Sequence, residues 1–234
     1  MRNLVVLSGA GMSVESGFST FRDAGGLWDK YPVQQVATPE GYARDPELVL
    51  HFYNEQRKKL LTAKPNMGHL LLAEMEKDYN VTVVTQNIDD LHERAGSSHV
   101  IHLHGELTKV CSSRDPNNPH FVKALDPSEY EVKLGDRSGD GSQLRPFIVW
   151  FGEAVPEIET AIQYVEKSDI FVIIGTSMVV YPAAGLLNYV PRDAEIYLID
   201  PKPVDAHSYR NIHFIRKGAS EGVTELKELL AAKK

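Results

Sequence analysis

An α/β fold built on a doubly wound parallel sheet, with a smaller lobe formed by two insertions, is the architecture this sequence predicts. Three observations carry it: short β-branched or apolar runs alternate with helical stretches, several of those runs end in small or polar residues, and two gaps in the alternation are too long for simple crossovers. The runs are Leu4–Leu7, Val81–Thr85, Val100–Leu103, Phe147–Trp150, Ile170–Ile174, Glu195–Ile199 and Ile212–Ile215. Most have no polar face, as strands covered by helices on both sides do not.

Helical periodicity lies between the runs. Leu48, Phe52 and Leu60 recur at a spacing near 3.6 over Pro46–Thr62, and Leu70, Leu71 and Met75 follow suit over Met67–Lys77. Glu157–Glu166 and Val223–Ala232 are predicted as two more helices. About 70 residues separate the first two strands, where a crossover needs roughly a dozen, so a first insertion spans about 27–66. The second, Glu106–Arg145, contains CSSRDPNNP and GDRSGDGS and is predicted to be loop on its Gly, Pro, Asp, Asn and Ser content. The two insertions are expected to pack over the carboxyl edge of the sheet, where doubly wound folds bind ligands.

Bulk properties narrow the class. With 42% apolar and 24% charged residues among 234, the chain is neither disordered nor fibrous, and it is too short for two full cores. The net charge of −7 and a pI near 5.7 disfavour nucleic acid and anionic membrane as partners, since both need clustered Lys and Arg. A basic protein or peptide suits this surface better. Cys111 is the only cysteine, which leaves no intrachain disulfide and no cysteine-built metal site. MRNLVVLSGAG reads as a first strand rather than a signal peptide, and no apolar run approaches the roughly 20 residues of a membrane span. The expected setting is cytoplasmic.

Four strand ends carry candidate chemistry. Gly9-Ala10-Gly11, followed by Ser13, Ser16 and Gly17, is either an ordinary tight turn or a turn whose backbone N–H groups approach a diphosphate. The G-x-G-x-x-G fingerprint fails at Val14. Arg22 nearby can pair with a phosphate or form a solvated pair with Asp23. After the second strand, Gln86, Asn87 and Asp89 can bind ribose hydroxyls and a carboxamide, or cap the helix that follows. In HVIHLHGEL, strand alternation would put His102 and His104 on one face. They could share a metal, or one could be structural and one a base; His104, beside Gly105 at the strand end, is the better placed base because a titrating imidazole needs only one partner. Gly175-Thr176-Ser177 closes another strand, and Asp200 could hold a ribose or form a turn before Pro201.

Together these segments resemble the sirtuins over nearly the whole chain: GAGMSVESGFSTFRD at 9–23, TQNIDDLHERAG at 85–96, HLHGEL at 102–107, PFIVWFGE at 146–153 and GTSMVVYPAAG at 175–185. The resemblance implies a Rossmann-like sheet, a single catalytic domain over 1–234, and NAD-dependent removal of acyl groups from lysine, with NAD consumed and nicotinamide released. By position it implies His104 as the base, with Asn87 beside it. Gly9, Ala10, Gly11, Ser13, Phe21 and Arg22 would hold the diphosphate and cover the ribose. Gln86, Asn87, Ile88 and Asp89 would line the nicotinamide pocket, and Gly175, Thr176, Ser177, Asp200 and Ala219 would take the adenosine half. The substrate would enter as an added strand between Phe151-Gly152-Glu153 and Met178-Val179-Val180, its lysine stem beside Phe151. The same NAD cleavage leaves mono-ADP-ribosyl transfer as an alternative, and an NAD sensor without turnover as another.

Two departures stand out. Most relatives hold zinc with four cysteines, and this chain keeps one, so the small lobe is expected to be zinc-free. Ala24 and Tyr53 resemble the branch that removes acidic acyl groups, but Gln56 stands where that branch has arginine. One residue along a helix turns a side chain by about 100°, so Arg57 is expected to point elsewhere, and the pocket to favour acetyl or neutral longer acyl groups over succinyl.

Overall fold

The computed structural model describes residues 1–20, 30–204 and 212–233. Six parallel strands form the central sheet in the order β3 (Val100–His102), β2 (Asn80–Thr85), β1 (Asn3–Ser8), β7 (Ile170–Ile174), β8 (Glu195–Ile199) and β9 (Ile212–Ile215). The chain winds outward from β1 to β3, then returns to lay β7 against the free side of β1. That reversal makes the sheet doubly wound and opens a crevice above β1 and β7.

Strand alternation divides the core in two. Leu4, Val6, Val83, Val172 and Ile174 face a layer containing Leu72 and Met75 from one segment and Val223, Leu226 and Leu230 from the C-terminal helix. Val5, Leu7, Val84, Phe171, Ile173 and Leu198 face Ala161, Val165, Leu186 and Leu187 on the other side. The central strands β1, β7 and β8 are buried along nearly their whole length because each face has its own helical cover.

A second sheet, antiparallel, has the order β5 (Lys123–Ala124), β4 (Gly105–Ser112), β6 (Leu144–Ile148). This corrects two expectations. Glu106–Arg145 is not all loop: Leu107, Val110 and Cys111 are buried within β4, whose β-branched and apolar residues sit ahead of the turn-rich stretch that dominates the composition. Phe147–Trp150 is not a strand of the parallel sheet. Its strand begins at Leu144 and carries Arg145 and Pro146, which hide it; Pro146 is tolerated because β6 lies at a sheet edge.

Helices α1 (Val33–Val36), α2 (Pro39–Arg44) and α3 (Pro46–Thr62) cover this sheet. Asp45 caps α3 by accepting from Leu48 N at 3.0 Å, with Pro46 in the first helical position. Val49, Phe52, Tyr53 and Leu60 of α3 pack with Leu107, Ile148 and Trp150, and the Asn54 amide clamps the Val132 backbone by donating to its O (2.9 Å) and accepting from its N (3.0 Å). Helices α4 (Met67–Glu74), α5 (Leu91–Ala95), α6 (Ile158–Val165) and α7 (Ala219–Ala231) belong to the main sheet. Among the described residues no helix is long and apolar enough to cross a membrane.

Candidate active site

A cleft of about 740 Å³ lies over the carboxyl ends of β1, β2 and β7, walled on its far side by α3 and β6. Of the residues picked out in the sequence, it brings together the glycine turn with Ser13, the run Gln86–Asp89, His104, Gly175–Ser177, Asp200 and Ala219, and opposite them Tyr53, Gln56, Phe151 and Val180. Gly152 is exposed, at φ +92°, and does not line it. Phe21, Arg22 and Ala24 lie outside the described residues.

The two glycine turns interlock. Gly11 N donates to Gly175 O at 2.8 Å and Gly9 N to Ile174 O at 2.9 Å. A Cβ on Gly11 would stand 2.6 Å from Gly175 Cα, and one on Gly175, whose φ is +60°, would stand 2.5 Å from Met12 N. Packing alone therefore demands these glycines. Val14, at the position where the fingerprint has its third glycine, is 45% exposed in the cleft lining, so no neighbour requires a glycine there.

Side chains from the end of β2 tie these turns together. Asn87 Nδ2 donates to Gly9 O (3.0 Å) and Ser13 Oγ (3.1 Å), while Ser13 Oγ donates to Asp89 Oδ2 (2.9 Å). Asp89 Oδ1 also accepts from Leu91 N at 3.2 Å, so the capping role and the cleft position coexist. Burial pushes the Asp89 carboxyl up, against the pull of its Ser13 bond. Gln86 Nε2 reaches across to Thr176 Oγ1 at 3.0 Å. Asp200 accepts from Lys202 N at 2.8 Å, the turn geometry, and still faces the cleft.

The two imidazoles separate sharply. His104 is not in the strand; Leu103 and His104 form the corner between β3 and β4, fixed by Leu103 N on Thr85 O (2.9 Å) and Val149 N on His104 O (3.0 Å). Its Nδ1 lies 3.0 Å from Gln86 O. A carbonyl can only accept, so Nδ1 carries the proton and Nε2 is left with the basic lone pair. Burial lowers the His104 pKa, outweighing the Gln86 bond. His102 instead meets acceptors at both nitrogens, Asn87 O at 3.2 Å and Glu93 Oε1 at 2.6 Å. Burial opposes its charge, but the Glu93 contact prevails and raises its pKa. The geometry thus suits His102 to an anchored, charged imidazole and His104 to a neutral one, and their bonded ring nitrogens are engaged by different groups.

The far wall rests on Arg145 and Trp150, to which the sequence reading assigned no role, as well as on Glu153 and Tyr53. Arg145, buried in β6, donates to both Glu153 oxygens (2.7 and 3.0 Å), and its guanidinium lies 3.4 Å from the Trp150 ring centroid. Trp150 N donates to Glu153 Oε2 at 2.8 Å, and its indole Nε1 to Tyr53 Oη at 3.0 Å. Arg145 and Glu153 flanking the apolar run PFIVW are the signal that could have revealed the network, since charges beside such a run are often paired. Cys111 is buried, 3.7 Å from Pro146 O, its thiol pushed up to about 12 by burial. Among the described residues no three His, Cys, Asp or Glu cluster as metal ligands, and a lone protonated thiol does not fit a tetrahedral thiolate site.

The profile of the Sir2 family matches residues 9–182. An NAD-dependent protein deacylase of Bacteroides thetaiotaomicron is 78% identical over 98% of both chains, and one from Helicobacter pylori is 50% identical over 97% of this chain and 96% of its own. Among solved structures, a Sir2 homologue in complex with NAD superposes with a TM-score of 0.87 at 37% identity, covering 99% of this chain and 90% of that one. A Sir2 protein bound to acetylated peptide gives 0.80 at 30% identity, over 98% and 94%.

Proposed function

The chain belongs to the Sir2 family, and from that premise we propose how its residues carry out NAD-dependent protein deacylation. NAD is a consumed substrate: the acyl group passes from lysine to the ADP-ribose portion and nicotinamide leaves. The observation that carries the residue assignment is the His104 tautomer. With Nδ1–H held by Gln86 O and the ring kept neutral by burial, Nε2 accepts the proton of a ribose hydroxyl as that oxygen attacks the acyl carbon.

The remaining residues position the reactants. Gly9, Ala10, Gly11 and Ser13 approach the diphosphate, together with Phe21 and Arg22. Gln86, Asn87, Ile88 and Asp89 surround the nicotinamide, and Gly175–Ser177, Asp200 and Ala219 take the adenosine. The acylated lysine enters past Phe151 and Val180, with Gly152 in the adjoining loop, toward Tyr53, Gln56 and Ala24. Free lysine is rejected because an unpaired ammonium is costly to bury. Acetyl and neutral longer acyl groups rank above succinyl, as Gln56 supplies no charge.

The segments 27–66 and 106–145 act as one small lobe that needs no zinc. An acidic surface suits basic protein substrates, and the setting is cytoplasmic. Incubating NAD and an acetylated peptide with the native chain and with His104→Ala tests the reading. Nicotinamide release by the native protein should fall about 10²–10⁴-fold in the variant; equal release by both would remove His104 from the chemistry. Equimolar zinc in the purified protein would refute the zinc-free lobe.

A further inference from the structure

The acyl end of the cleft holds hydrogen-bonding capacity that finds no partner among the described residues. Tyr53 and Gln56 stand one turn apart on α3 and face the same way, into a cleft whose lining also includes Phe52, Leu107, Ile148, Trp150 and Glu153. Gln56 is only 8% exposed, yet among the described residues its side-chain amide has no hydrogen-bond partner. Tyr53 accepts from Trp150 Nε1, and the indole is held in place by Arg145. The phenol's own proton is therefore free to donate, and no acceptor for it stands among the described residues.

Among the described residues, neither Arg57 nor Arg145 adds a charge to this wall. Arg145 is committed to Glu153, whose carboxylate shares the lining. Arg57 points away, as its place on the helix predicts: Nε donates to Leu107 O at 2.8 Å and Nη1 to Asn54 Oδ1 at 2.9 Å, while Nη2 is buried outside the lining with no partner among the described residues.

We propose that Tyr53 and Gln56 select acyl groups ending in a neutral hydrogen-bonding function, a hydroxyl or a carboxamide, over apolar or anionic groups of similar length. The inference rests on the deacylase reading above. An apolar tail that fills this end of the cleft gives the amide and the phenol proton no partner, which disfavours it against a tail that pairs with both. A carboxylate would be desolvated without a paired cation.

The test compares kcat/KM for one peptide carrying butyryl-, 3-hydroxybutyryl-, succinyl- or succinamoyl-lysine, with acetyl-lysine as reference. Hydroxybutyryl should exceed butyryl, and succinamoyl exceed succinyl, each by about tenfold. Gln56→Leu and Tyr53→Phe should each bring the hydroxybutyryl-to-butyryl ratio toward one. Because that ratio is taken within a single enzyme, a loss of folded protein does not imitate the result. Equal rates on butyryl and hydroxybutyryl in the native protein, or an unchanged ratio in Gln56→Leu, would overturn the proposal. So would succinyl outrunning succinamoyl, which would mean that the Arg57 charge reaches the pocket. No nicotinamide release with any peptide, acetyl included, would overturn the deacylase reading and this inference together.

Discussion

Along the sheet edge, Gly9, Gly11 and Gly175 meet backbone to backbone, whereas the opposite wall is held by side chains, with Arg145 gripping Glu153, Trp150 stacked on that guanidinium, and Tyr53 hung from the indole. The first wall has no tolerance for an added atom, because its spacing is set by peptide units that cannot repack. The second can change character with one side chain while its strands and helices stay in place. A cleft so divided suits the proposed arrangement, with the dinucleotide on the rigid side and acyl specificity on the other.

The largest effect should come from the rigid side. Gly175→Ala places a Cβ 2.5 Å from Met12 N at a φ of +60°, and we expect stability to fall by about 3 kcal/mol and NAD-dependent nicotinamide release about a hundredfold or more. Thermal unfolding and product assay check both; a normal enzyme would mean that the two turns can part. On the other wall, Glu153→Gln strips the charge that balances the buried Arg145. Chemical denaturation should show a loss of about 2 kcal/mol, with KM for the peptide rising more than KM for NAD.

Between the walls stands His104, whose pKa lies below its ordinary 6.5. The base must be neutral, so kcat/KM should rise with pH to a plateau, with the midpoint below 6.5 and a slope of about tenfold per pH unit on the acid side. A midpoint above 6.5 would mean that the imidazole is charged in the resting cleft. The smallest effect is expected from Tyr53→Phe, which removes one acceptor from the Trp150 indole. About 1 kcal/mol of stability should be lost, confirming by its size that the second wall adapts where the first cannot.

Much of this was legible in the sequence. The six apolar runs of the central sheet fall on β1, β2, β3, β7, β8 and β9, and Pro46–Thr62 is a helix over those very residues. Strand ends also located the cleft, because the carboxyl edge of a parallel sheet is where its loops gather. The second sheet was not legible: Arg145 and Pro146 interrupt the apolar pattern of β6, and only its partner β4 makes it a strand. Likewise, nothing local to Trp150 announces that it orients a tyrosine 97 positions away in the chain.

By itself the sequence determined the doubly wound sheet, the glycine turns and the candidate base, since periodicity and strand-end chemistry are properties of neighbouring residues. The tertiary structure alone decided that His102 is a paired cation and His104 a neutral imidazole, and that Gln56 faces the cleft with no partner among the described residues while Arg57 turns away. Protonation and pairing depend on which distant carbonyls and carboxylates the fold brings within hydrogen-bond reach, and no spacing along the chain encodes that.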